Sequence, residues 1–129
     1  MEPMNEKDLH ISDILRCQQQ LREKHEWAEH TPDIGAYSLL WTYDEMGEIG
    51  AILKKKGHEA VMNHPQVRAH FVEECADVFM YLVDMMDCFG ISAEEFSEAY
   101  CAKWKRNMNR TWEENKKMYE EETPEGRNE

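Results

Sequence analysis

Residues 65–90 read PQVRAHFVEECADVFMYLVDMMDCFG, and this stretch decides the fold. Pro65 suits the first turn of a helix, where a missing N–H costs nothing, and Gly90 suits the residue that ends one. Between them, two patterns at helical spacing run side by side. Phe71, Cys75, Val78, Phe79, Leu82, Met85, Met86 and Phe89 form an apolar wall. His70, Glu74, Asp77, Tyr81, Asp84 and Cys88 form a polar stripe along its border. A solvated helix face usually mixes Lys with Glu. Three of its six residues are acidic and none is Lys or Arg, so it is expected to face something other than water.

The preceding segment repeats the arrangement. In Asp44-Glu45-Met46-Gly47-Glu48, Glu45 and Glu48 are i and i+3 and project from one helix face, which continues through Trp41 and Ile52. Glu74 and Asp77 share the same spacing. Four carboxylates crowded between two helices repel one another at a cost of several kcal/mol unless neutralised. Hard divalent cations take oxygen ligands and remove that cost; Mg2+ also keeps positions for water and phosphate. A lone Glu-x-x-Glu is common on exposed helices. Two acidic pairs on successive helices, each beside an apolar wall, point to metal binding. A di-iron bundle needs Glu-x-x-His. None of the six histidines has a Glu three residues before it, which argues for an all-oxygen site.

Outward from this centre, the chain reads as all-α. A first helix is expected over about 6–27, a second over about 36–56 ending in Lys54-Lys55-Lys56-Gly57, and a connector over 58–64. The third helix follows over 65–89. A fourth opens with Ser92 and Glu95 in a capping box and runs to about Tyr119. One domain is expected over 1–119, with a polar tail over 120–129. With 129 residues and 41% hydrophobic composition, the core is small, and association would complete it.

The formal net charge of −12 excludes a nucleic-acid groove and an anionic membrane surface. No stretch reaches the ~18 apolar residues of a membrane span. Cys17, Cys75, Cys88 and Cys101 form no CxxC pair and read as reduced cytoplasmic thiols. An anionic substrate would need metal or a local cationic cluster. On the fourth helix, Lys103, Asn107 and Arg110 share one face with Phe96 and Tyr100, and Lys and Arg there are suited to phosphate oxygens. Trp104 and Trp112 are expected to pack or to make oligomer contacts rather than bind substrate, and His30 to make a local loop hydrogen bond.

Glu45-x-x-Glu48, twenty-five residues, then Glu74-x-x-Asp77 resembles the all-α nucleoside triphosphate pyrophosphohydrolases of the MazG-like superfamily. Tyr81 and Lys103-x-x-x-Asn107 also match that family's pattern. The segment from Arg22 to Trp27, followed by His30-Thr31-Pro32, is similar to the deoxycytidine triphosphatase branch. The resemblance covers about residues 11–110. It implies hydrolysis between the α- and β-phosphates to a nucleoside monophosphate and pyrophosphate, serving dNTP pool control. It implies Mg2+, with Mn2+ as a substitute, held by Glu45, Glu48, Glu74 and Asp77. Glu73 or another nearby carboxylate would activate water. Lys103, Asn107 and Arg110 would contact phosphate or sugar, and Tyr81 the deoxyribose. Trp27 is a candidate stacking partner for the base, with an ordinary core aromatic as the alternative. Gln18 stands where the deoxycytidine branch has a His, and Lys55 near its Trp, so the base pocket departs from that branch. Homodimers or homotetramers are implied. Two other readings stand beside this one: a non-catalytic helical module, and a phosphoribosyl-ATP pyrophosphatase.

Overall fold

A computed structural model describes residues 3–27, 29–110 and 120. Among them are four helices and no strand: α1 (Ile11–Lys24), α2 (Pro32–Asn63), α3 (Pro65–Cys88) and α4 (Ala93–Asn109). The expected continuation of the fourth helix over 111–119, Trp112 within it, and the tail beyond residue 120 lie outside the described residues. The chain divides into two compact units, Met1–Ala93 and Glu94–Glu129. In the first unit α2 and α3 pack along each other as a hairpin, and α1 lies against α3.

The helix ends have local causes, and several differ from expectation. α1 starts at Ile11, not near Glu6. The Asn5 carbonyl and side chain hold a turn, accepting from the Asp8 and Lys7 N–H groups at 3.1 Å each. Asp13 then reaches back to the His10 N–H at 2.8 Å. The same helix stops at Lys24 rather than Trp27. Glu26 adopts φ 54°, the Trp27 N–H reaches the Arg22 carbonyl (3.0 Å), and the Glu26 N–H reaches Glu23 (3.3 Å). This is a Schellman ending built on a glutamate instead of a glycine. It turns Trp27 out of the helix, 56% exposed, with its ring stacked on His25 at 5.0 Å.

α2 begins at Pro32, four residues before the expected start. Thr31 is extended, and its carbonyl accepts from the Ile34 and Gly35 N–H groups at 2.9 and 3.1 Å. The Thr-Pro pair is therefore a helix start rather than a breaker. At the other end Gly57 does interrupt the helix, with φ 81° and ψ 161°, a region that essentially only glycine occupies. Helix resumes at once and runs to Asn63, so the expected connector is nearly all helical. α3 ends as read: Gly90 (φ 68°) completes a second Schellman motif, with Ile91 N–H on Met86 (3.1 Å) and Gly90 N–H on Asp87 (2.9 Å).

The buried apolar side chains are Leu15, Ile52, Val61, Val83, Met86 and Cys88. Phe79 and Phe89, expected within the core wall, are more than half exposed, as are Tyr37, Leu40 and Tyr43 on α2. The hairpin buries only part of its apolar surface within one chain. Gly35 is needed for close approach at the open end of the hairpin: a Cβ there would lie 2.5 Å from the Phe89 ring and 3.1 Å from the Cys88 Cβ.

Candidate active site

The i, i+3 spacing and the packing of α2 on α3 bring three of the predicted acids together. One carboxylate oxygen from each of Glu45, Glu74 and Asp77 lies within 4.8 Å of the other two. All three are half-buried. Glu74 Oε1 sits 3.1 Å from His70 Nε2, while Glu74 Oε2 is buried with no hydrogen-bond partner. An unpartnered buried carboxylate oxygen is costly, and two further carboxylates beside it add to the cost. The Glu45 carboxyl is pushed above its ordinary value, first by desolvation, then by the adjoining Glu74 carboxyl and the charges of Asp77, Glu74 and Glu48. Carboxylate oxygens, an orphaned one among them, in a cluster short of positive charge fit a hard divalent ion. Glu48 stands outside this group of three. It is exposed, one turn further along α2, yet close enough to act electrostatically on Glu45. Glu73 is also exposed.

Two cavities flank the acids. The smaller, about 440 Å³, is lined by Trp27, His30, Ile34, Ser38, Trp41, Tyr81 and Asp84. Trp41 and Tyr81 meet edge to face with ring centroids 6.0 Å apart. Tyr81 adjoins the carboxylates on both sides: burial raises its phenol, and the charges of Glu45, Asp77 and Asp84 raise it further. The larger cavity, about 530 Å³, holds Glu48, Ile52, Lys55, Lys56, His64 and His70 among its lining. His70 thus touches both this cavity and Glu74.

Behind the smaller cavity lies a polar network that sequence reasoning missed. His30 does not make a local loop bond. Its Nδ1 lies 2.6 Å from Asp87 Oδ2 and its Nε2 3.4 Å from Asp84 Oδ1, both on α3. Gln18 is buried and donates to Asp84 Oδ1 at 3.1 Å; Arg22 reaches Asp87 at 3.1 Å and Gln19 at 3.4 Å. The two aspartates respond in opposite directions. Desolvation raises Asp84, outweighing Gln18 and His30. Desolvation would also raise Asp87, but hydrogen bonds from His30 and Gln19 and the His30 and Arg22 charges outweigh it and lower the carboxyl. Only the acidic stripe containing Asp84 hinted at this network; its partners lie more than fifty residues away in sequence.

The predicted phosphate contacts belong to the second unit. Lys103 and Asn107 lie on α4, with Arg110 just after it, its N–H 3.4 Å from the Asn107 carbonyl. Phe96 and Tyr100 pair on the same helix, centroids 6.3 Å apart.

Residues 39–125, which carry both acidic pairs, match the family described as dATP/dGTP pyrophosphohydrolase. The chain belongs to this family. The match agrees with the resemblance to all-α, MazG-like pyrophosphohydrolases. The family's name refers to purine deoxynucleotides, so this match does not carry the likeness to the deoxycytidine branch. No curated protein and no solved structure matches the chain. No helix among the described residues is long and apolar enough to cross a membrane.

Proposed function

We propose that the protein hydrolyses purine deoxynucleoside triphosphates between the α- and β-phosphates, releasing a monophosphate and pyrophosphate, with Mg2+ as the cofactor and Mn2+ as a substitute. The observation that carries this reading is the convergence of Glu45, Glu74 and Asp77 around an unpartnered carboxylate oxygen, beside an aromatic cavity. Glu45, Glu74 and Asp77 would hold the metal, with Glu48 joining from the next turn. Bound there, a divalent ion supplies positive charge and Lewis acidity at the reacting phosphorus. Glu73 or another carboxylate outside the metal set takes the proton from the attacking water.

Trp27 and Trp41 would sandwich or edge the base in the smaller cavity, and Tyr81, between that cavity and the acids, would lie against the deoxyribose. The triphosphate then runs over the acids toward the larger cavity, where Lys55 and Lys56 offset its charge. Lys103, Asn107 and Arg110 are proposed as further phosphate contacts on the family resemblance alone. The exposed aromatic and aliphatic side chains of α2 and α3 support a homodimer or homotetramer.

The test is incubation with Mg2+ and each of the common deoxynucleoside and ribonucleoside triphosphates, followed by pyrophosphate detection. Release from dATP or dGTP, with the monophosphate as co-product, is expected. Folded protein that releases pyrophosphate from none of them overturns the proposal.

A further inference from the structure

One ionisable group in the smaller cavity has no part in the hydrolysis. Asp84 stands two turns beyond Asp77 on α3 and lines the cavity beside Trp27, Trp41 and Tyr81. Its Oδ1 accepts one hydrogen bond, which leaves it a free lone pair, and has one close ionisable neighbour. Gln18 Nε2 donates from α1 at 3.1 Å, and His30 Nε2 lies 3.4 Å away in the segment leading to α2. Both holders are themselves restrained: Gln18 is buried, and His30 is tied through Nδ1 to Asp87, which Arg22 also holds. Asp84 Oδ2 makes no hydrogen bond among the described residues. The cavity therefore contains a carboxylate held in one orientation, with acceptor capacity to spare, between aromatic walls.

A flat ligand in this cavity gains most if its edge presents hydrogen-bond donors. Guanine carries two adjacent ones, N1–H and the 2-amino group, at the spacing of a carboxylate's two oxygens. Adenine presents its N1 lone pair next to the 6-amino group, so an ionised carboxylate opposite it meets one donor and one acceptor. Cytosine has the same mismatch, and thymine offers a single N3–H. A site built to pair with substrate donors rejects an analogue lacking them, because its own acceptor is left desolvated and unpaired.

We propose that Asp84 reads the base and selects guanine, accepting from N1–H and the 2-amino group while Gln18 and His30 act as positioning residues. This rests on the pyrophosphohydrolase reading, which places a nucleotide base in this cavity.

The test compares kcat/KM for dGTP, dITP and dATP on the full chain with Mg2+. Hypoxanthine keeps N1–H and lacks the 2-amino group, so dITP should fall between the other two. dGTP should exceed dATP by roughly 10- to 100-fold, the discrimination typical of one bidentate pair. Asp84→Asn should lower dGTP turnover and raise dATP turnover, because an amide can donate to adenine N1 and accept from its 6-amino group. Equal use of dGTP and dATP by the wild-type protein overturns the proposal without any variant. So does an unchanged ratio in an Asp84→Asn protein of wild-type melting temperature. Binding of dGMP and dAMP, followed by quenching of tryptophan fluorescence, reads the same preference without catalysis. Preferential dGMP binding that Asp84→Asn reverses, in a protein that cleaves no nucleotide, would sustain the role of Asp84 and sink the hydrolase reading. Hydrolysis with no preference between the two purines would do the opposite.

Discussion

The two cavities beside the carboxylates both draw on α2 and α3, the smaller with Trp27 and His30 added from the segment before α2, and they have opposite chemistry. The smaller has aromatic walls from Trp27, Trp41 and Tyr81 and a single fixed acid, Asp84. The larger, near the α2–α3 connection, has Lys55, Lys56, His64 and His70 in its lining. Glu45, Glu74 and Asp77 lie between them, with Tyr81 bordering one side and Glu48 and His70 the other. The hairpin thus has a direction: aromatic, then acidic, then basic. A nucleoside triphosphate with its metal has the same direction, from base to reacting phosphate to terminal anion. In a chain of formal charge −12, a cationic lining next to the acids would offset the repulsion that a polyanion meets on approach.

The most damaging change should fall on the acids that separate the two cavities. Glu74→Gln or Asp77→Asn is expected to lower kcat by at least about 100-fold, as loss of metal-centred charge stabilisation costs several kcal/mol. Mg2+ should raise the melting temperature of the wild-type protein and not of these variants, since only an intact site binds the ion in the folded state. Retained turnover in both variants would remove the metal site from between the cavities.

At the aromatic end, Trp27→Ala should raise KM by about 5- to 100-fold with kcat little changed, the range expected when a base loses one stacking partner. Steady-state kinetics on the preferred nucleotide decide it. A fall in kcat at constant KM would mean that Trp27 supports the reacting groups rather than the base.

The basic end depends on one backbone conformation. Gly57 directs the chain out of the helix just after Lys55 and Lys56, and a Cβ there would meet nothing within 4 Å. Its requirement for glycine is therefore conformational and not steric. Gly57→Ala should cost about 1–3 kcal/mol in denaturant unfolding. The lysines themselves should matter less to the fold and more to the triphosphate. The Lys55→Ala/Lys56→Ala double variant should raise KM several-fold and weaken inhibition by pyrophosphate, while dGMP affinity stays as in the wild type. Equal loss of dGMP affinity would break the separation between a base end and a phosphate end. Lys103→Ala measured alongside shows whether the phosphate charge is met from α4 instead.

Much of this arrangement is legible in the sequence. α3 is bounded by Pro65 and Gly90, two residues whose backbone limits act locally, so its ends are read almost to the residue. The i, i+3 acids are legible because helical spacing puts them on one face whatever the tertiary structure. Which acids converge is another matter. The rotation of α2 against α3 brings Glu45 to Glu74 and Asp77 and leaves Glu48 exposed, and no local rule encodes that rotation. The start of α2 was hidden because Thr31-Pro32 serves equally as a break and as a cap. The Gln18–Asp84 and His30–Asp87 bonds span 66 and 57 residues, so neither partner carries a local mark of the other. Phe79 fits the apolar period of α3 perfectly well and is still 58% exposed, because periodicity identifies a face without supplying what covers it.

The end of α1 shows the same limit, and it leads to the smallest predicted effect. Nothing in Lys24-His25-Glu26-Trp27 resembles the Gly90 signal that closes α3, yet both ends form the same pair of Schellman hydrogen bonds. Glu26 therefore occupies a left-handed conformation that a side chain disfavours by about 1–2 kcal/mol. Glu26→Gly relieves that strain and loses part of the gain to the greater freedom of an unfolded glycine. A net stabilisation of about 0.5–1 kcal/mol is expected by thermal or urea unfolding. Because Trp27 is turned toward the smaller cavity by the backbone, and not by the Glu26 carboxylate, nucleotide KM should not change. A stability gain with unchanged KM assigns the aromatic end to this turn. A stability loss would show that the Glu26 side chain holds α1 closed in a way its backbone conformation does not explain.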